Sequence, residues 1–210
     1  MTHSNYAKLT ASSIALWFAA SFFASSKGLF QQTNPASPPL PILLAVLLPI
    51  TFFFVWYSAS SGFRGFVLSL DLKALTVVQS WRFVGFGFLV LYTYGILPAS
   101  FALPAGLGDM AIGITAPLIA LRFSDSRYRR LFLLWNALGI TDLVIAVSMG
   151  AASRVAHPST APMAALPLSL IPAFAVPLLA IVHVISIAHA RRWPERDAVQ
   201  VAGRMPSLSA

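Results

Sequence analysis

Long apolar runs, separated by short polar or proline-rich stretches, fill almost the whole chain. Residues about 9–26, 40–60, 75–97, 104–121, 131–151 and 166–189 are each long enough for a helix across a hydrocarbon core about 30 Å thick. The breaks carry turn chemistry. Asn34-Pro35-Ala36-Ser37-Pro38-Pro39 interrupts any helix. Ser61-Gly62-Phe63-Arg64-Gly65 ends the second run, and Pro98 and Pro104 bracket the link between the third and fourth. The polar stretch 124–130 precedes the fifth run, and 153–162 joins the fifth to the sixth. The pattern predicts an all-α, polytopic transmembrane bundle of six spans. Its short loops make consecutive helices antiparallel neighbours. The whole of 1–210 reads as one transmembrane domain, with a short basic tail over 190–210. Residues 66–80 admit two readings, a short interfacial helix or an extension of the third span.

Composition sharpens the class. Of 210 residues, 58% are hydrophobic and 10% charged, which excludes most soluble enzymes, disordered chains and collagen-like chains. There is no Cys, and with it go disulfide frameworks, thiolate metal sites and thiol catalysis. Lys and Arg total 14 against 6 acidic residues, a net charge of +8. With six spans both termini share one side. Lys8, Arg64, Lys73, Arg82, Arg122, Arg127, Arg129, Arg130, Arg191, Arg192, Arg196 and Arg204 then fall inside or at the inner edge, and only Lys27 and Arg154 outside. This bias predicts N-in, C-in. Trp56, Trp81, Trp135 and Trp193 fall near the inner boundary, as an aromatic belt would. The basic excess is therefore a topology signal, and its partners are the bilayer and its anionic cytoplasmic headgroups, not nucleic acid. Lys8, the apolar run after it and Ala24-Ser25-Ser26 also resemble a signal peptide, although the run is long for one and a retained helix is the preferred reading.

The scarce acidic residues carry the chemical interest. Gly106–Thr115 aligns with Gly139–Ser148, matching Asp109 to Asp142. Each Asp has a Gly three residues behind, Gly106 or Gly139, and a small residue four ahead, Gly113 or Ala146. Residues at these spacings share a helix face, and small ones let a neighbouring helix come close. Both aspartates are thus expected in helix contacts. With the spans as drawn, both lie in the outer half of the membrane. Arg82, Asn136 and His183 form a second, inner polar layer. Ionisable groups inside spans are functional hypotheses by default. Plainer readings stand beside this one: Asp109 in a first helical turn, Asp142 in a structural hydrogen bond, Arg82 snorkelling to headgroups, His183 bonded to a carbonyl. Pro172 and Pro177 are expected to bend the sixth span.

No His-Glu-x-x-His, Gly-x-Ser-x-Gly or phosphate-cradling glycine motif is present. His183 and His189 share one helix, which argues against bis-histidine haem, and no metal or cofactor is expected. Gln79-x-x-Arg82, Gly95-Ile96-Leu97-Pro98, Asp109 before Gly113–Ala116, Trp135-Asn136-x-x-Gly139, and Pro172, Pro177 and His183 together resemble a family of small bacterial multi-pass membrane proteins of uncharacterised role, over about residues 79–192. The resemblance implies a helix count of about six and no activity; the expected location is a bacterial inner (plasma) membrane. The leading expectation is binding or translocation of a small solute or proton along Asp109, Asp142, Arg82, Asn136 and His183. The alternatives are a structural or accessory subunit of a membrane complex, self-association, and a membrane-embedded lipid-modifying enzyme.

Overall fold

Six helices long and apolar enough to cross a membrane run through the computed structural model, whose described residues are 3–193 apart from 33, 35 and 36. Most of the expected basic tail at 190–210 lies outside the described residues. Helix α1 spans His3–Ser26 and α2 spans Leu40–Ala59. A short α3, Ser61–Val67, leads into the third crossing, which comprises α4 (Leu72–Val78), a 3₁₀ segment (Gln79–Gly85) and α5 (Phe86–Thr93). Helix α6 runs Ala99–Leu118 and ends in a π turn, Ile119–Phe123. Helix α7 is Arg129–Ala152, and α8 is Val176–Ala190 after a π turn at Ile171–Ala175.

The two ends of the bundle differ. At one end the Tyr6 hydroxyl meets Ser60 Oγ at 3.3 Å and His189 Nε2 meets the Val67 carbonyl at 3.3 Å. That end gathers the start of α1, all of α3 and the end of α8. At the other, Arg154 donates to the Ser37 carbonyl and to Gln32 Oε1, drawing the 30s loop over the end of α7.

Four local expectations change. The second span ends at Ala59, as expected, but Ser61–Gly65 is not a turn; it starts a new helix. The Ser60 hydroxyl accepts from the Phe63 amide at 3.2 Å, a side-chain cap that restarts the chain as α3. Phe63, Phe66 and Val67 are then buried with Tyr6, Phe53 and Ile185. Asp71 caps the next helix through the Lys73 amide at 2.9 Å, so the third crossing starts at Leu72, earlier than its apolar run. Pro104 lies inside α6, not at its start, because Pro98 supplies the extended residue from which the helix begins. The sixth crossing starts at Ile171, and 166–169 belong to the preceding turns.

Pro177 explains how α1 is held. A proline has no amide to offer the carbonyl four residues back. The freed Ala173 carbonyl accepts from Trp17 Nε1 at 3.1 Å and from Ser21 Oγ at 3.4 Å. One turn on, the Ser25 and Ser169 hydroxyls share a 2.5 Å hydrogen bond. Trp17, Ser21 and Ser25 recur every four residues, so a single face of α1 presents all three. Apolar surroundings leave no water to satisfy such a carbonyl, which makes these donors specific anchors.

Candidate functional site

The site begins with a close approach of backbones. Opposite the 3₁₀ segment, α6 presents Gly113, where a β carbon would lie 2.5 Å from the Phe83 nitrogen and 3.0 Å from the Arg82 carbonyl carbon. A β carbon on Gly106 would lie 3.0 Å from the Gly85 carbonyl oxygen, and one on Gly85 would collide with Asp109. These glycines let α6 lie directly on the main chain around Arg82.

Arg82 stands at the middle of the third crossing with its side chain wholly buried. Its Nε donates to Asp109 Oδ1 at 2.7 Å, and its Nη2 donates to Asp142 Oδ2. Nη1 donates to the Gly139 carbonyl at 3.0 Å and reaches His183 Nε2 at 3.2 Å. Guanidinium only donates, so His183 Nε2 accepts and the ring proton sits on Nδ1. That proton is donated to Asn136 Oδ1 at 2.9 Å, and Asn136 Nδ2 donates to the Phe132 carbonyl at 2.8 Å. The chain of donors and acceptors thus closes on the α7 main chain. Gly139 makes room for it, since a β carbon there would strike the His183 ring; a β carbon on Gly108 would strike the Asp142 carboxylate. Ala146 packs beside the cluster built on Phe88 and Phe101.

All five polar residues singled out from the sequence therefore meet in one cluster. The separation into an outer carboxylate layer and an inner Arg/Asn/His layer is corrected. The added turn at Ala99–Leu103 moves Asp109 from the start of its helix to the middle. The start at Leu72 moves Arg82 from the membrane edge to the same depth. Arg82 accordingly does not snorkel, and His183 bonds to side chains, not to a carbonyl. Trp135 also leaves the expected belt: it is buried, its indole donates to Thr115 Oγ1 at 2.9 Å, and its ring lies 5.5 Å from that of His183. The two aligned segments, on adjacent antiparallel helices, carry their aspartates to the same guanidinium from opposite directions. Trp17, Ser21 and Arg154 were not singled out, because an apolar helix with scattered hydroxyls and one loop arginine carry no distinctive spacing.

A cavity of about 390 Å³ connects this cluster to the end of the bundle opposite the termini. Gln32, Arg154 and Ser159 stand at its mouth, Phe88, Phe101, Leu143, Ala146 and Met163 form its walls, and Asp109 is the charged residue at its deep end. Asp142 does not line it. The Asp109 side chain is 13% exposed against 0% for Arg82. Its Oδ2 accepts no hydrogen bond from the described residues, whereas Oδ1 is held by Arg82. The cluster combines one guanidinium with two carboxylates, a net charge of −1 when both are ionised. Among the described residues no three His, Asp or Glu side chains come together in a way that could hold a metal ion.

The family model of the domain of unknown function DUF8737 matches residues 38–191, and the chain belongs to that family. The match takes in five of the six crossings and every residue of the cluster. No curated protein and no solved structure is similar to the chain.

Proposed function

We propose that this multi-pass member of the DUF8737 family binds a proton or a small solute at the Asp109 end of the cavity and moves it between the two sides of the membrane. The observation that carries this reading is a single one: a cavity open at one end of the bundle is lined at the other by Asp109, a carboxylate with one oxygen that no described residue satisfies. Burying unequal numbers of positive and negative charges in a low-dielectric interior is costly. One further positive charge, a proton or the cationic group of a solute, brings the Arg82–Asp109–Asp142 cluster to neutrality. The cluster therefore has two charge states that a diffusing species interconverts, which is what a carrier site needs. The breaks in the third and sixth crossings, a 3₁₀ segment and a π turn, lie on the elements that meet the cluster, and such irregular turns are common at functional sites. With the basic ends facing the cytoplasm, the cavity opens to the outside of a plasma membrane.

The test is dissipation of an imposed pH gradient by purified protein in liposomes. The wild-type protein is expected to collapse the gradient faster than empty liposomes, and Asp109→Asn to remove most of that rate. A wild-type rate equal to that of empty liposomes, or an unchanged rate in a folded Asp109→Asn protein, would overturn the proposal.

A further inference from the structure

Resting on that reading, we infer that the solute is an organic ammonium ion, an amine carried on an apolar body. The charge count sets the sign. A guanidinium and two carboxylates leave the cluster one positive charge short, and an anionic solute would deepen the imbalance. Geometry sets the donor. The Asp109 carboxylate lines the cavity, its Oδ2 has no hydrogen-bond partner among the described residues, and an ammonium N–H is the complement of a carboxylate oxygen. The walls set the body. Phe88, Phe101, Leu143, Ala146 and Met163 offer apolar and aromatic surface, while the neutral oxygens of Gln31, Gln32, Ser159 and Thr160 line the cavity alongside the cationic Arg154. A bare inorganic cation needs several oxygen ligands, so these walls do not suit it. Aromatic faces and a thioether do suit an organic cation with hydrocarbon around it. The volume of about 390 Å³ lies within the roughly 300–1,000 Å³ of small-molecule sites.

Arg154 at the mouth does not oppose this choice. It is twelve positions along from Asp142, so helix rise puts it roughly 18 Å from the cluster. Its guanidinium is also drawn aside by the Ser37 carbonyl and Gln32. It instead marks where a solute enters.

The experiment uses full-length protein in lipid nanodiscs, titrated calorimetrically with three probes of one shape: 4-phenylbutylammonium, 4-phenylbutanol and 4-phenylbutanoate. Empty nanodiscs supply the partitioning background. Saturable binding of the ammonium is expected, at least tenfold tighter than of the alcohol, with no saturable binding of the carboxylate. Asp109→Asn is expected to weaken ammonium binding at least tenfold and Asp109→Glu to retain it. Ala146→Phe, which fills the cavity and leaves every charged group of the cluster in place, is expected to abolish it, and decides the matter if Asp109→Asn does not fold. Equal affinity for all three probes, or undiminished ammonium binding in folded Asp109→Asn and Ala146→Phe proteins, overturns the inference. Collapse of the pH gradient without ammonium binding overturns this inference alone, whereas Asp109-independent behaviour in both assays overturns the parent proposal as well.

Discussion

Arg82 Nε lies 2.7 Å from Asp109 Oδ1, and the same guanidinium also holds Asp142. One cation on a tightly wound segment thus ties the third crossing to the fourth and fifth. Removing it leaves two carboxylates facing each other with no cation between them. Arg82→Met is therefore expected to destabilise the protein by about 3–5 kcal/mol, the usual cost of orphaning a buried charge. Adding Asp109→Asn and Asp142→Asn to Arg82→Met should recover much of that loss, because the uncompensated charges go too. Thermal unfolding in mild detergent of the single and triple variants checks this. A triple variant no more stable than Arg82→Met would show that the guanidinium acts through shape alone.

Gly139 and His183 should behave as one unit. A β carbon at Gly139 would strike the imidazole that links Arg82 to Asn136. Gly139→Ala is expected to cost about 1–3 kcal/mol through overpacking. The cost should shrink markedly in a His183→Ala background, where the colliding ring is gone. Additive effects in this double-mutant cycle would argue against the close packing described.

The anchoring of α1 gives a second cycle. Trp17→Phe keeps the ring but removes the donor to the Ala173 carbonyl, and is expected to cost on the order of 1 kcal/mol, typical of an interhelical hydrogen bond in a membrane. Pro177→Ala restores the missing amide and so supplies the carbonyl with a partner of its own. In that background Trp17→Phe should be nearly neutral. An undiminished cost would mean that the indole matters by packing against Phe174 instead, whose ring lies 4.8 Å away.

The six crossings were legible in the sequence because hydrocarbon thickness and hydropathy decide them. The five cluster residues were legible as well, because ionisable and amide groups stand out among apolar ones. Their depth was not. It depended on where α6 and the third crossing begin, and Pro104 looked like a helix start although membrane helices tolerate an internal proline. The 3₁₀ winding at Gln79–Gly85 left no trace in composition either. It coincides with the close packing of its main chain against Gly113, a tertiary contact that local propensity does not contain. The cap at Ser60 was readable in principle, since Ser before a helix is a recognised start signal, but the neighbouring Gly62 and Gly65 read more strongly as a turn.

Arg154 is expected to act as a clasp and not as a stabilising element. It bridges two neutral oxygens of the 30s loop at the cavity mouth. Arg154→Gln should leave the unfolding temperature nearly unchanged and raise the rate at which solutes reach the cavity walls. Because the chain has no Cys, a single introduced thiol reports that rate without background. Labelling of Ala146→Cys, with and without Arg154→Gln, provides the comparison. Equal rates would remove any gating role for the loop.

The same thiol provides the most direct test of the central claim, that an open path from one side of the membrane reaches the Asp109 level. Ala146→Cys and Ile114→Cys would each be treated with a charged, membrane-impermeant thiol reagent, added separately to either face of oriented vesicles. Ala146 lines the cavity one turn beyond Asp142, whereas Ile114 is 59% exposed on the outside of the bundle. The expected result is labelling of Ala146→Cys only from the face opposite the termini, slowed by 4-phenylbutylammonium, with Ile114→Cys protected by lipid. Failure of Ala146→Cys to label from either face, in a folded protein, would contradict the open path and the function built on it.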